Sequence, residues 1–165
     1  MPSDADIRPG EVTVEIPEEF DGGLYFIGRI RTPWASRDDC PKNSGESDAV
    51  CTLEVEARYA AALRDVETAS HLIALYFMDQ APRDIVVLAP GHYRSPHGVF
   101  ALRAPGRPNP VAMSVVRLLE VAGTRLSVVG LDCRDGTPLL DIKPYFASID
   151  AVPEASVGWH QAEKR

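Results

Sequence analysis

Apolar and polar positions along this chain alternate in short runs with the period of two that marks half-buried strands. "LYFIGRIRTPW" (24–34) alternates and stops at Pro33, whose missing N–H ends ladder pairing. The polar "ASRDDCPKNSGESD" that follows reads as a surface loop. "VCTLEVEARY" alternates again, and "YAAALRDVE" has the alanine and leucine content of a short helix. "SHLIALYFMD" and "RDIVVLAP" are apolar runs of strand length and read as central strands. "VAMSVVRLLEV" and "TRLSVVGLDC" flank "AGT" as the arms of a hairpin. "RDGTP" is a turn in which Gly136 supplies the positive φ and Pro138 opens the next strand, "LLDIKPYFA". The tail "SIDAVPEASVGWHQAEKR" reads as irregular.

Many short strands and a single short helix predict a mostly β fold, a small antiparallel β-barrel in which closure removes the sheet edges. A doubly wound parallel sheet is disfavoured, because the second half of the chain has no helical crossovers. At 165 residues and 45% hydrophobic, the chain is read as one domain over residues 23–165, behind a flexible acidic leader, 1–22. No apolar run reaches the ~18 residues of a membrane span, and the acidic N-terminus is unlike a secretory signal. The chain is therefore read as cytoplasmic, with no membrane partner.

The net charge of -7 is unevenly placed. Asp4, Asp6, Glu11, Glu15, Glu18, Glu19 and Asp21 stand in the leader against Arg8 alone. Between Asp84 and Glu120 there is no carboxylate, while Arg94, Arg103, Arg107 and Arg117 make a basic stripe. Such a stripe fits either arginines at the rim of a sheet or an anion site. Cys40, Cys51 and Cys133 form no Cys-x-x-Cys pair, and the four histidines lack a helical two-His spacing, so no metal site is expected. Glycine-rich nucleotide motifs and hydrolase triad motifs are also missing.

Within "HGVFALRAPGRPNPVAMS" (97–114), prolines interrupt an otherwise apolar run. Pro108 and Pro110 fix φ around Asn109 and keep it out of a ladder, which would present Arg107 and Asn109 to a ligand. Together with "LDCRDGTPLLDIKPY", this segment resembles the TsaA/TrmO (YaeB-like) family of S-adenosylmethionine-dependent tRNA methyltransferases. The similarity includes "FIGRIRTPW" and "SHLIALYFMDQ", and so covers roughly residues 24–158.

The resemblance implies a homodimeric barrel enzyme that binds S-adenosyl-L-methionine near the subunit interface. It further implies methylation of N6 in the threonylcarbamoyl-modified adenosine beside the tRNA anticodon. Methyl transfer to an amine is mainly a matter of positioning, and Asp141 or Tyr145 is expected to accept or orient the departing proton. The family positions imply a catalytic set of Asp141, Lys143, Tyr145 and Asn109. They imply cofactor contacts from Gly45, Asp79, Gln80, Arg103, Met113, Asp132, Cys133, Arg134 and Asp135. Arg94 and Arg107 are expected against tRNA. Ala112 replaces the family's usual Gly, and Asp79 its usual His. The chain is similar to a short form without the C-terminal domain of longer members, which leaves the acceptor open. Two other readings stand beside this one: a methyltransferase for a different acceptor, and a non-catalytic S-adenosylmethionine-binding module.

Overall fold

The computed structural model describes residues 7–163. Two compact units emerge where the sequence reads as one domain. The barrel unit comprises Asp21–Asp79 and Val111–Tyr145; the small-sheet unit comprises the chain up to Phe20, Gln80–Pro110 and the chain from Phe146.

Nine strands are present among the described residues: β1 (Val12–Thr13), β2 (Gly28–Arg31), β3 (Val50–Val55), β4 (His71–Phe77), β5 (Ile85–Leu88), β6 (His97–Gly98), β7 (Val111–Ala122), β8 (Arg125–Val129) and β9 (Pro138–Pro144). Six close into an antiparallel barrel in the order β2-β3-β8-β7-β4-β9. The expected barrel is there, and the alternation explains it. Inward positions Ile30, Leu53, Leu72, Ala74, Val116, Leu126 and Val128 are fully buried, and their neighbours along each strand are more exposed; Leu139 and its neighbour Pro138 are both fully buried. The β7–β8 hairpin turns at Gly123 and Thr124, with Gly123 at φ +63° as a tight hairpin turn demands. The β2–β9 seam is short, pairing only Gly28 with Leu139 and Arg29 with Pro138. On its other side β2 approaches β3 so closely that a Cβ on Gly28 would lie 1.9 Å from the Glu54 carbonyl oxygen.

Some local expectations need correction. The "YAAALRDVE" region winds as 3₁₀ turns over Ala57–Leu63 and Val66–Thr68 instead of an α-helix. Its inward residues, Leu63 above all, are needed by the core, and the tighter turn delivers them over a short span. The tail holds two short helices, α1 (Ala147–Asp150) and α2 (Gly158–Glu163). "RDIVVLAP" supplies β5 of the small three-stranded sheet β1-β5-β6, not a barrel strand. The leader is partly tied down: Val12 pairs with Val87, the Val14 N–H donates to the Asp84 carbonyl, and Ala89 N–H donates to Glu11.

Buried thiols line the barrel. Cys133 is pushed up to about 12 and Cys51 to about 11, each chiefly by burial. Beside them the Tyr76 phenol reaches Asp132 Oδ1 at 2.8 Å and Ser114 Oγ at 2.9 Å. Burial, and then the Asp132 charge, drive that phenol far above its ordinary range.

Candidate active site

The motif strand β9 carries one residue too many. Asp141 pairs with Leu75, yet Leu139 pairs with Tyr76, so Leu140 is a bulge between adjacent partners on β4. The extra residue reverses the side-chain parity. Leu139 points into the core, and after the bulge Asp141 and Lys143 stand on the outer wall opposite Leu75 and Ile73. The Tyr145 N–H donates to the His71 carbonyl at 3.1 Å, so the ladder runs on past Pro144 and Tyr145 keeps the parity of Lys143.

Register across β7, β4 and β9 converts this parity into rows on the barrel's outside. Met113, Leu75 and Asp141 form one row; Val115, Ile73 and Lys143 the next; Arg117, His71 and Tyr145 the third. The β7 members are open to solvent, Met113 at 46% and Val115 at 40%. The wall is thus an exposed apolar surface edged by charge. Lys143 Nζ lies 2.5 Å from Asp141 Oδ2, and Asp141 Oδ1 accepts the Ile142 N–H at 2.9 Å. Both side chains are about half exposed, so the pair contributes under ~1 kcal/mol to stability.

The Asp132–Asp135 stretch caps the barrel. Asp132 receives Tyr76, and Arg134 lies 3.9 Å from Asp79. The Asp79 carboxylate therefore has a cation facing it instead of standing as bare repulsion. The Cys133 side chain is sealed in the core and its carbonyl accepts the Thr32 hydroxyl, so a direct contact from this thiol to a ligand is ruled out by burial. Asp135 accepts the Thr32 N–H at 3.1 Å and faces Arg31 at 3.7 Å. In the first loop the Gly45 N–H donates to Asn43 Oδ1 at 3.1 Å, and Gly45 is exposed.

Gln80, Arg94, Arg103, Arg107 and Asn109 belong to the small-sheet unit. There the proline-rich segment is a braced corner. Arg107 turns inward: its Nε donates to the Ala104 carbonyl at 2.9 Å, and one Nη to the carbonyls of Val99 and Leu102. That guanidinium holds the corner together instead of standing out as a phosphate contact. Arg83, which the sequence did not single out, donates to the Pro108 carbonyl at 2.7 Å and to Asn109 Oδ1 at 3.2 Å. It also lies over the Phe20 ring, 5.0 Å from the centroid. Asn109 remains exposed with its carboxamide oxygen fixed, and Arg103 and Gln80 are exposed as well. The Arg94 N–H donates to Glu163 Oε2 at 3.0 Å, so α2 returns a carboxylate to the stretch that lacks one in sequence. Trp159 stacks on His97 at 4.0 Å within the same cluster.

Among the described residues no group of three or more His, Cys, Asp or Glu side chains is placed to hold a metal ion. No helix among them is long and apolar enough to cross a membrane.

Comparison with known proteins agrees with the arrangement. The profile of the tRNA-methyltransferase O N-terminal domain matches residues 29–151. The chain is 51% identical over 138 residues to a probable S-adenosyl-L-methionine-binding protein, VirR, of Rhizobium radiobacter, covering 84% of this chain and 79% of that protein. It is 38% identical over 149 residues to the tRNA (adenine(37)-N6)-methyltransferase of Escherichia coli, covering 82% of this chain and 63% of the enzyme. The crystal structure of TrmO from Pseudomonas aeruginosa superposes with a TM-score of 0.70 at 36% identity, covering 84% of this chain and 62% of that one. The matched region thus spans less than two thirds of those two longer proteins. By profile, sequence and fold alike, the chain belongs to the tRNA-methyltransferase O N-terminal domain family.

Proposed function

We propose that the chain is an S-adenosylmethionine-dependent methyltransferase acting on N6 of a tRNA adenine, and that threonylcarbamoyl-modified adenosine beside the anticodon is its acceptor. The observation that carries this reading is the outward-turned Asp141–Lys143 pair at the edge of an exposed apolar wall, within a family-specific motif. The E. coli relative bears the name of that reaction, which supports the adenine and the tRNA.

The residues fit the cofactor. A sulfonium ligand is cationic and partly apolar; Leu75, Met113 and Val115 offer it apolar surface, and Asp141 offers the opposite charge. Arg103, exposed on the small-sheet unit, has the charge that a ligand carboxylate needs. When bound, the cofactor supplies an electrophilic methyl group. The chain's own part is positioning. Lys143 is paired with Asp141 and keeps it in place, and Tyr145 stands on the same face. In the small-sheet unit, Arg83 fixes the Asn109 carboxamide.

Two cavities of the barrel unit, about 130 Å³ beside Tyr59 and Asp141 and about 190 Å³ beside Glu67 and Leu119, are below the ~300–1,000 Å³ of small-molecule pockets. This favours the outer wall as the ligand's place, covered by a second copy of the chain in a cytoplasmic homodimer. Incubating the protein with labelled cofactor and total tRNA, then analysing the nucleosides, tests the reading. Labelled N6-methyl, threonylcarbamoyl-modified adenosine is the expected product. Label in another nucleoside or small molecule would reassign the acceptor, and binding without label would make this a non-catalytic module.

A further inference from the structure

A methyl group arriving at an amine leaves nitrogen cationic, and the proton it sheds needs an acceptor. We infer that His71 takes that proton, a role that rests on the methyltransferase reading and extends it to a residue outside both motifs. His71 opens β4 and occupies the third outer-wall row, between Arg117 on β7 and Tyr145 on β9. Along β4 it is two residues, about 6.6 Å, from Ile73, the partner of Lys143, and twice as far from Leu75, the partner of Asp141. The whole row system is therefore long enough for a cofactor beside a nucleoside, with His71 at the end away from Asp141.

The neighbours narrow the choice. Asp141 is engaged twice, by Lys143 Nζ and by the Ile142 N–H, and a neutral phenol such as Tyr145 is first a hydrogen-bond donor. The Lys143 and Arg117 side chains are of types that only donate hydrogen bonds. The imidazole is the side-chain type that changes charge between about pH 5 and 8, which suits a base working near neutrality. His71 also has a side-chain partner at one ring nitrogen, whose hydroxyl can accept from Nδ1–H or donate to Nδ1. Its Nδ1 lies 3.0 Å from Ser70 Oγ. With Nδ1–H donating to that hydroxyl oxygen, Nε2 carries the lone pair. Nε2 makes no hydrogen bond among the described residues, and the side chain is only partly buried.

The step balances. The lone pair of the acceptor nitrogen forms the N–C bond as the C–S bond breaks, its electron pair passing to sulfur to leave a neutral thioether. The proton on the cationic nitrogen passes to His71 Nε2, giving an imidazolium that returns it to water.

The test compares wild type, His71→Gln and Ser70→Ala in single-turnover methyl transfer to tRNA across pH 5.5–9, alongside NMR of the histidine imidazoles. The charged and titratable groups beside His71 are Arg117, Lys143 and Tyr145, and all three stay in place. His71→Gln is expected to slow the chemical step by about 10² or more and to abolish the acid limb of the rate profile, with tRNA affinity within twofold. Ser70→Ala is expected to raise the share of the Nε2–H tautomer in ¹⁵N spectra and to lose less rate. In the wild type, the demethylated cofactor plus an adenosine-containing stem-loop is expected to shift the His71 resonances. An active wild type whose His71→Gln variant keeps the acid limb, or a His71 signal blind to both ligands, overturns this assignment alone. A wild type that transfers no methyl group to any tRNA overturns the function reading, and this role with it.

Discussion

Leu139 and Asp141 are two residues apart on one strand yet face opposite sides of the barrel wall. In a regular strand they would share a face; the bulge at Leu140 separates a core leucine from a site carboxylate. Deleting Leu140 makes Leu139 and Asp141 adjacent, and regular alternation then keeps Asp141 outward opposite Leu75. No carboxylate is buried, so the deletion is expected to melt within a few degrees of wild type and to keep cofactor binding. Asp141→Asn should also melt within a few degrees of wild type while weakening cofactor binding at least tenfold. Calorimetry and thermal melts on the two variants decide the matter, and a deletion variant that loses cofactor binding as Asp141→Asn does would mean that the wall needs the bulge itself.

Tyr145 lies just past the end of β9 and needs only its backbone N–H to hold its place on the His71 carbonyl. Tyr145→Phe keeps that bond. It is expected to reduce methyl transfer while leaving the melting temperature within a few degrees. Loss of fold with retained specific activity at low temperature would make the phenol structural.

The arginines of the carboxylate-free stretch should divide in two. Arg107 donates to three backbone carbonyls, so Arg107→Ala leaves partly buried acceptors unpaired and is expected to cost about 2–4 kcal/mol by urea unfolding. Arg103 and Arg94 are exposed. Arg94→Ala should lower tRNA affinity and reduce the salt slope of binding by close to one unit without moving cofactor affinity; Arg103→Ala should lower both affinities. Titrations at several salt concentrations read both slopes, and salt-insensitive tRNA binding would count against a phosphate-contacting surface.

Stability should fall on the alkaline side. Cys133 at about 12, Cys51 at about 11 and the raised Tyr76 phenol keep protons in the folded protein that the unfolded chain sheds once pH exceeds the ordinary thiol range. Their contribution is complete below about pH 8.5 and is lost as pH rises toward the folded values, by up to ~1.4 kcal/mol per pH unit for each thiol. Urea unfolding between pH 8 and 10.5 under reducing conditions should show this slope. Cys133→Ala should lower the slope even though its cavity lowers stability overall, and an unchanged slope would mean the thiol is not sealed.

Much of this was legible in the sequence, for identifiable reasons. Period-two alternation in β3, β4 and β8 records which face meets the core, and Gly123 and Gly136 mark turns that need positive φ. The paired motifs pointed to the family, and the two-residue spacing of Asp141 and Lys143 to their shared face. Other features depend on contacts remote along the chain. Nothing in "DGTPLLDIKPY" announces that Leu140 is a bulge, because a bulge exists only relative to β4. Arg107 reads as an exposed cation until the carbonyls of Val99, Leu102 and Ala104 are seen around it. Glu163 lies far from Arg94 in sequence, so a linear charge count leaves the stretch bare. Arg83 and His71 sit outside the two paired motifs, and their surroundings are visible only through Asn109 and through the register of three strands.

The two-residue seam between β2 and β9 also dictates an order of events. These strands stand at opposite ends of the barrel's sequence, so joining them closes the longest loop and can be favourable only after the β7–β8 hairpin and the β4 pairings have formed. The last contact to form is the first to open, which places the least protected amides of the barrel at Ile27 and Ile30, whose N–H groups donate to the carbonyls of Leu139 and Thr137. Leu139 adjoins the bulge that aims Asp141. The wall that carries the motif is therefore anchored firmly along β4 and loosely along β2, and hydrogen exchange at the seam reports directly on how rigidly that carboxylate is held.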